Sequence, residues 1–140
     1  MKILFYKGRA RLFNRGVSWL TVGPYSHCEV VTAEHLDGSI TCWGASFTDG
    51  GVREKRMTLH PDNWDVVDVP SLDADKAVAW LEANRGMPYD KLGLMGFFFR
   101  PITGNHDKVF CSELIAILLC LKDPWRYDPN TLYSAIGGKP

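Results

Sequence analysis

The chain has 140 residues, 46% of them hydrophobic and 23% charged, with five tryptophans and a formal net charge of +0. This is the balance of one compact soluble domain, large enough to bury roughly two thirds of the surface exposed by its unfolded chain. It offers no electrostatic case for nucleic acid or an anionic membrane, and the apolar run within Met1–Lys7 is too short for a signal-peptide core or a membrane span.

Along the chain, Lys2–Tyr6 reads as a short strand. Arg9–Val22, with apolar Leu12, Val17, Trp19 and Leu20, has the pattern of a helix ended by Gly23-Pro24. His27–Ala33 and Ile40–Phe47 read as two strands joined by an Asp37-Gly38 turn, hence a hairpin. After Asp49-Gly50-Gly51, the charged stretch Val52–Met57 suits an edge or solvent-facing strand, and Trp64–Val69 alternates as another. Ser71 is placed to cap a helix with Ala77, Val78 and Leu81 on its inner face and Gly86 beyond its end. Asp90–Phe98 is apolar and compatible with a helix; 100–108 is a polar loop. Cys111–Leu121 is apolar nearly all round, a buried helix, and Asp128-Pro129 opens a short last one. A strand-rich front and a helix-rich back predict an α+β fold with an antiparallel sheet. Without repeats, low-complexity stretches or a linker, residues 1–140 read as a single domain, cytoplasmic in setting.

Cysteines 28, 42, 111 and 120 contain no Cys-x-x-Cys pair, which argues against a zinc site or a thioredoxin-like motif. A Cys28–Cys42 disulfide is geometrically open if their strands are neighbours, but reduced thiols fit a chain without a secretion signal better. Cys111 stands where a helix begins, and helix-start amides favour the thiolate. Cys120, deep in the same helix, reads as a small core residue. Among the histidines, His35 and His60 read as solvated and His106 as an exposed loop residue. His27 opens an apolar strand, so it is rigidly held yet reachable, as a general base must be. By strand parity His27, Glu29 and Val31 share one face. If that face meets the Cys111 helix, Glu29 is drawn inward. There it either orients the imidazole or pairs with an arginine or lysine of the sheet.

These residues resemble the NlpC-like branch of the papain-fold cysteine hydrolases. Asn84-Arg-Gly-Met-Pro-Tyr-Asp90 and Val109-Phe-Cys-Ser-Glu-Leu-Ile-Ala116 look like that family's Gly-x-Pro-Tyr segment and nucleophile helix. Tyr25-Ser-His-Cys-Glu-Val-Val31 and Ile40-Thr-Cys-Trp-Gly-Ala-Ser46 look like its histidine strand and the strand that follows. The histidine block comes first here, as in the circularly permuted YiiX-like and lecithin retinol acyltransferase-like groups; chain order does not matter to a site defined by geometry. The Ser-His-x-Glu strand followed by Asp-Gly-Gly-Val-Arg also resembles small phage and prophage proteins, which would place the protein in a host cytoplasm or a virion.

The resemblance implies a permuted papain-like fold, with the antiparallel sheet packed against the nucleophile helix and no cofactor or metal. It implies attack by Cys111, with His27 as base, and a thioester intermediate. Family members place a third polar residue on the strand after the histidine; here that stretch is Cys42-Trp43-Gly44-Ala45, with nothing suited to the role before Ser46. Glu29 is the preferred substitute, a dyad or an impaired enzyme the alternatives. The Cys111 amide, Tyr89 by resemblance, Ser112 and Ser46 are candidates for oxyanion or substrate contacts, Ser112 and Glu113 reading equally as helix-start residues. Trp43, Trp64 and Phe97–Phe99 suit either an acyl pocket or the core. The implied substrate is a peptide, isopeptide or cell-wall peptide. A lipid ester or amide, or a non-catalytic binding module of the same fold, is the alternative.

Overall fold

The computed structural model describes residues 1–8, 15–16, 18–19, 21–90 and 107–137. Five strands form one antiparallel sheet: β1 (Lys2–Tyr6), β2 (His27–Glu34), β3 (Ser39–Ser46), β4 (Gly51–Thr58) and β5 (Trp64–Asp68), in the spatial order β4-β3-β2-β1-β5. Helices α1 (Ala74–Ala83), α2 (Cys111–Leu118) and α3 (Pro129–Ala135) follow, with a 3₁₀ turn at Pro124–Arg126. The architecture is α+β, as the ordering of strand-like and helix-like segments predicts. Among the described residues no helix is long and apolar enough to cross a membrane.

The two faces of the sheet are unlike. Ile3, Phe5, Cys28, Val30, Trp43 and Ala45 point to the face covered by α2, where they meet Phe110, Leu114 and Ile115 in the main core. The other face carries a small cluster of Leu4, Val31 and Cys42, flanked by Ile40, Met57 and Trp64. Between β2 and β3 the register shifts after Val31, so Ala33 rather than Thr32 is paired with Thr41.

The hairpin, both edge strands and the last helix lie where the sequence places them. α1 differs at its start: Asp73, not Ser71, is the N-cap, its carboxylate accepting the Lys76 amide at 3.1 Å. Ala77 and Leu81 are buried but Val78 is exposed, because the inner face of α1 is only one stripe wide. Residues 15–16 and 18–19 are helical, yet Trp19 and Val22 are exposed rather than core-facing. Residues 9–14, 17 and 20 of the predicted Arg9–Val22 helix, the 91–98 stretch with Phe97–Phe99, and His106 lie outside the described residues.

α2 ends earlier than its apolar run. Cys120 adopts a left-handed conformation (φ 54°), its amide bonding to the Ile117 carbonyl and that of Leu121 to the Ala116 carbonyl. This is a Schellman stop. It turns Cys120 out to solvent, correcting the expectation of a core residue.

Candidate active site

β2 delivers His27, and its approach is fixed from α3. Asn130 brackets the residue two before His27: its Oδ1 accepts the Tyr25 amide and its Nδ2 donates to the Tyr25 carbonyl, both at 3.0 Å. The Tyr25 hydroxyl donates to Asp65 on β5 at 2.7 Å, and its ring packs against Phe5 and Tyr133. Asn130 belongs to the Asp128-Pro-Asn segment, whose sequence signals only a helix start.

Cys111 is the first residue of α2, following extended Phe110. The residue is 2% exposed, and its thiol interacts with Cys28 and with the His27 ring. The Cys28 bond comes first among the influences that hold the Cys111 thiol well below its ordinary range; burial works against it, and the bond and charge of His27 add to the lowering. Cys28 moves the opposite way, raised chiefly by burial, and so stays a thiol that donates. Burial also opposes a charged His27, but its bonds and charges with Cys111 and then Glu29 prevail and raise it to about 9. Both directions favour a thiolate–imidazolium pair.

The ring's Nε2 meets Glu29 Oε1 at 3.1 Å, which leaves Nδ1 for the sulfur. Glu29 is fully buried, and both partners left open by the sequence are present: His27 and Arg53, whose guanidinium donates to the same oxygen at 2.6 Å. Burial would raise the Glu29 carboxyl, yet the His27 bond and the charges of His27, Arg53 and Lys55 hold it well below the usual range.

Glu29 reaches His27 by a route that parity did not foresee. α2 covers the face of Cys28 and Val30, whereas Glu29 lies on the opposite one with Cys42, whose thiol donates to Oε2 at 2.8 Å. His27, at the very start of β2, is the residue able to touch both faces, joining Glu29 on one and Cys111 on the other. The neighbouring strands also place Cys28 and Cys42 on opposite faces, and all four cysteines are free.

The apparent gap on β3 has a physical use. A Cβ on Gly44 would come within 2.9 Å of Glu29 Cγ and 3.2 Å of the Cys28 carbonyl oxygen. Gly44 thus leaves the space that the Glu29 side chain fills. Arg53, Gly44 and Cys42 were not expected to take part; the motif that could have drawn attention to Arg53 is Asp-Gly-Gly-Val-Arg.

Tyr89 arrives through the Gly86–Tyr89 segment, which is laced to the start of β4: the Val52 amide donates to the Met87 carbonyl at 2.9 Å and the Tyr89 amide to that of Gly50 at 3.2 Å. A Cβ on Gly51 would collide with the Met87 carbonyl, so glycine is required for this approach. Tyr89 also bridges to Val109, two residues before Cys111, and its ring meets Phe47 edge-on. Its hydroxyl is held protonated by burial first and then by the nearby charge and hydrogen bond of Cys111.

The structure therefore brings Cys111, His27, Glu29 and Tyr89 together. Ser46 stands apart on the wall of a cleft of about 480 Å³, accepting the Asp49 amide at 3.4 Å. The cleft runs over the open face of the sheet past Trp64, Lys55, Arg53, Glu29, His27 and Tyr89. Trp64 lines it, edge-on to His27, whereas Trp43 is buried in the main core and lines no part of it. Ser112 is buried with its hydroxyl unpartnered and is not on the cleft; Glu113 accepts the Phe110 amide at 3.4 Å, a helix-start role. Burial lifts Glu113 to about 7 against the pull of that amide. His60 is exposed on the cleft rim, but His35, expected to be solvated, is partly buried and bonded to Thr41 Oγ1 at 2.8 Å. Among the described residues no group of three His, Cys, Asp or Glu is placed to hold a metal ion.

No family model matches the chain, and no curated protein or solved structure matches it.

Proposed function

We propose that the protein is a cysteine hydrolase of the permuted NlpC-like, papain-fold type, cleaving an amide bond through a thioester. What carries the reading is the place of His27, bonded to buried Glu29 at 3.1 Å and interacting electrostatically with Cys111. A cysteine serving only as core filler needs neither a base nor a base that is itself oriented.

In this mechanism the Cys111 thiolate attacks the carbonyl carbon of the amide. The developing oxyanion is met by amides at the start of α2, which lack acceptors within the helix, and by the Tyr89 hydroxyl. His27 gives its proton to the leaving amine as the C–N bond breaks, leaving an acyl group on sulfur. Neutral His27 then takes a proton from water, the resulting hydroxide attacks the thioester, and the carboxylic acid departs as the thiolate is restored. Glu29 fixes the tautomer and steadies the imidazolium. Peptide, isopeptide and cell-wall peptide bonds fit this chemistry, and an ester would pass through the same acyl-enzyme.

A second reading, a binding module that keeps the fold, is favoured by one observation: Cys111 is 2% exposed and the 480 Å³ cleft stops at His27 and Tyr89. Limited iodoacetamide treatment at about pH 6 separates the two. The enzyme reading expects Cys111 to be labelled ahead of the exposed Cys120, with His27→Ala removing that preference. Labelling of Cys120 alone, in protein that remains folded, supports the binding module.

A further inference from the structure

We infer that Arg53 is a positioning residue for the site: reaching across the side-chain gap at Gly44, its guanidinium holds Glu29 as a carboxylate against His27. The inference rests on the reading of His27 as the base of Cys111.

The sheet register sets up the device. Gly44 pairs with Arg53, and Val30 with Trp43, so one step further Glu29 lies beside Gly44. Arg53, Gly44 and Glu29 thus form one row across three strands, spanning about 9–10 Å. Any side chain at the middle position would stand between the outer two. With glycine there, Arg53 Nη2 reaches Glu29 Oε1 at 2.6 Å while Nη1 donates to the Gly44 carbonyl at 3.3 Å. Nε is fixed from behind by Asp49 Oδ2 at 2.7 Å. All three nitrogens are engaged, so the guanidinium is aimed as well as charged.

Among the described residues, the groups facing the Glu29 carboxylate can be named. β2 supplies His27, β3 the Cys42 thiol, and β4 Arg53 at 2.6 Å and Lys55 at 4.0 Å; β1 presents uncharged Leu4 as its pairing partner. Arg53 is the cation that hydrogen-bonds the carboxylate whatever the state of His27: Lys55 stands off at 4.0 Å, and His27 carries charge only while it holds the catalytic proton. During turnover that proton leaves for the amine. Without Arg53 only the more distant Lys55 would then offset the buried Glu29, which would take up a proton more readily, and a protonated Glu29 no longer orients the ring. Arg53 keeps Glu29 an acceptor through both states of His27.

The test is a pH titration of the Glu29 side-chain carboxyl carbon by NMR in wild type, Arg53→Gln, Arg53→Lys and Asp49→Asn, alongside the pH profile of Cys111 alkylation. In Arg53→Gln the Glu29 midpoint rises by at least about one unit, a tenfold gain in proton affinity, and the acid limb of Cys111 reactivity moves with it. Arg53→Lys restores part of the shift, since charge returns without the three-point grip; Asp49→Asn produces a smaller rise and covers the case in which Arg53→Gln does not fold. A Glu29 midpoint unmoved in folded Arg53→Gln, or in both Arg53→Lys and Asp49→Asn, overturns the inference even if Cys111 stays reactive. A shifted midpoint together with an unreactive Cys111 supports the grip of Arg53 on Glu29 while rejecting the hydrolase.

Discussion

The two faces of the sheet use the same strands for different ends. On the covered face Cys28, Val30, Trp43 and Ala45 lie against α2 in a continuous apolar core, where stability comes from area removed from water. On the open face a buried carboxylate, an arginine and a thiol interrupt a much smaller cluster. The covered face holds Cys111 in place and supplies Cys28, the first influence lowering its thiol; the open face holds Glu29 and Arg53, which orient and support the His27 that adds to that lowering. His27, at the end of β2, is the one candidate catalytic residue belonging to both. Substitutions on the covered face should therefore cost stability first, and those on the open face reactivity first.

The largest loss of stability is expected for Trp43→Ala, about 3–5 kcal/mol by chemical denaturation, because a fully buried indole leaves a void that the strands cannot close. The Cys111 labelling preference should survive in the fraction still folded. A close second is Glu29→Gln, about 3 kcal/mol, since Arg53 loses its buried counter-charge. Here the labelling preference should vanish as well. If Trp43→Ala abolishes selective labelling in the folded fraction or Glu29→Gln leaves it intact, the division between faces is wrong.

Gly44→Ala is expected to cost about 1–3 kcal/mol, as the new methyl group meets Glu29 and the Cys28 carbonyl. Because it disturbs the carboxylate without deleting it, alkylation should slow rather than stop. At the small end, Asp128→Ala removes the cap that accepts the Asn130 and Thr131 amides of α3 and should cost about 1 kcal/mol with little effect on labelling.

The pH dependence sharpens the comparison because the two charged residues must be counted together. His27, raised from 6.5 to about 9, alone would give stability that is full below 6.5 and lost as pH rises through 9. Cys111, lowered from 9.0, alone would give stability present above 9 and lost as pH falls through its folded value. Between 6.5 and 9 the folded pair and the unfolded pair hold the same single proton, on imidazole in one and on sulfur in the other. The pair's contribution is therefore flat there. Below 6.5 the unfolded histidine gains a proton that the folded pair does not take up, so stability should fall at up to about 1.4 kcal/mol per pH unit. Glu29, lowered from 4.5, adds its own loss only below that value. Denaturation at a series of pH values should show this slope setting in below about 6.5 and lasting until folded Cys111 takes up its own proton, and Cys111→Ala should flatten it.

Local features of the fold were legible because they have local causes. Alternation located the strands, Asp37-Gly38 and Asp49-Gly50-Gly51 the turns, and Asp128-Pro129 the last helix. Ser71 and Asp73 compete two residues apart for the same cap, and only the Lys76 amide decides between them. Strand parity rightly separated Glu29 from Cys28 but could not say which side α2 would cover, since Val31, Leu4 and Cys42 are as apolar as Val30, Ile3 and Cys28. The site was half legible for the same reason. Cys111 and His27 carry local signals in a helix start and a strand end. Arg53 looks like any charge on an edge strand and Gly44 like a missing residue, until the register sets them in one row with Glu29.

The most direct test of the central claim is the ionisation of Cys111, followed as ultraviolet thiolate absorbance against pH in the native protein, with Cys111→Ser as the blank. The account predicts a thiolate still present at about pH 6 and lost in His27→Ala. A Cys111 that titrates at or above the ordinary thiol range in the folded wild type would contradict it.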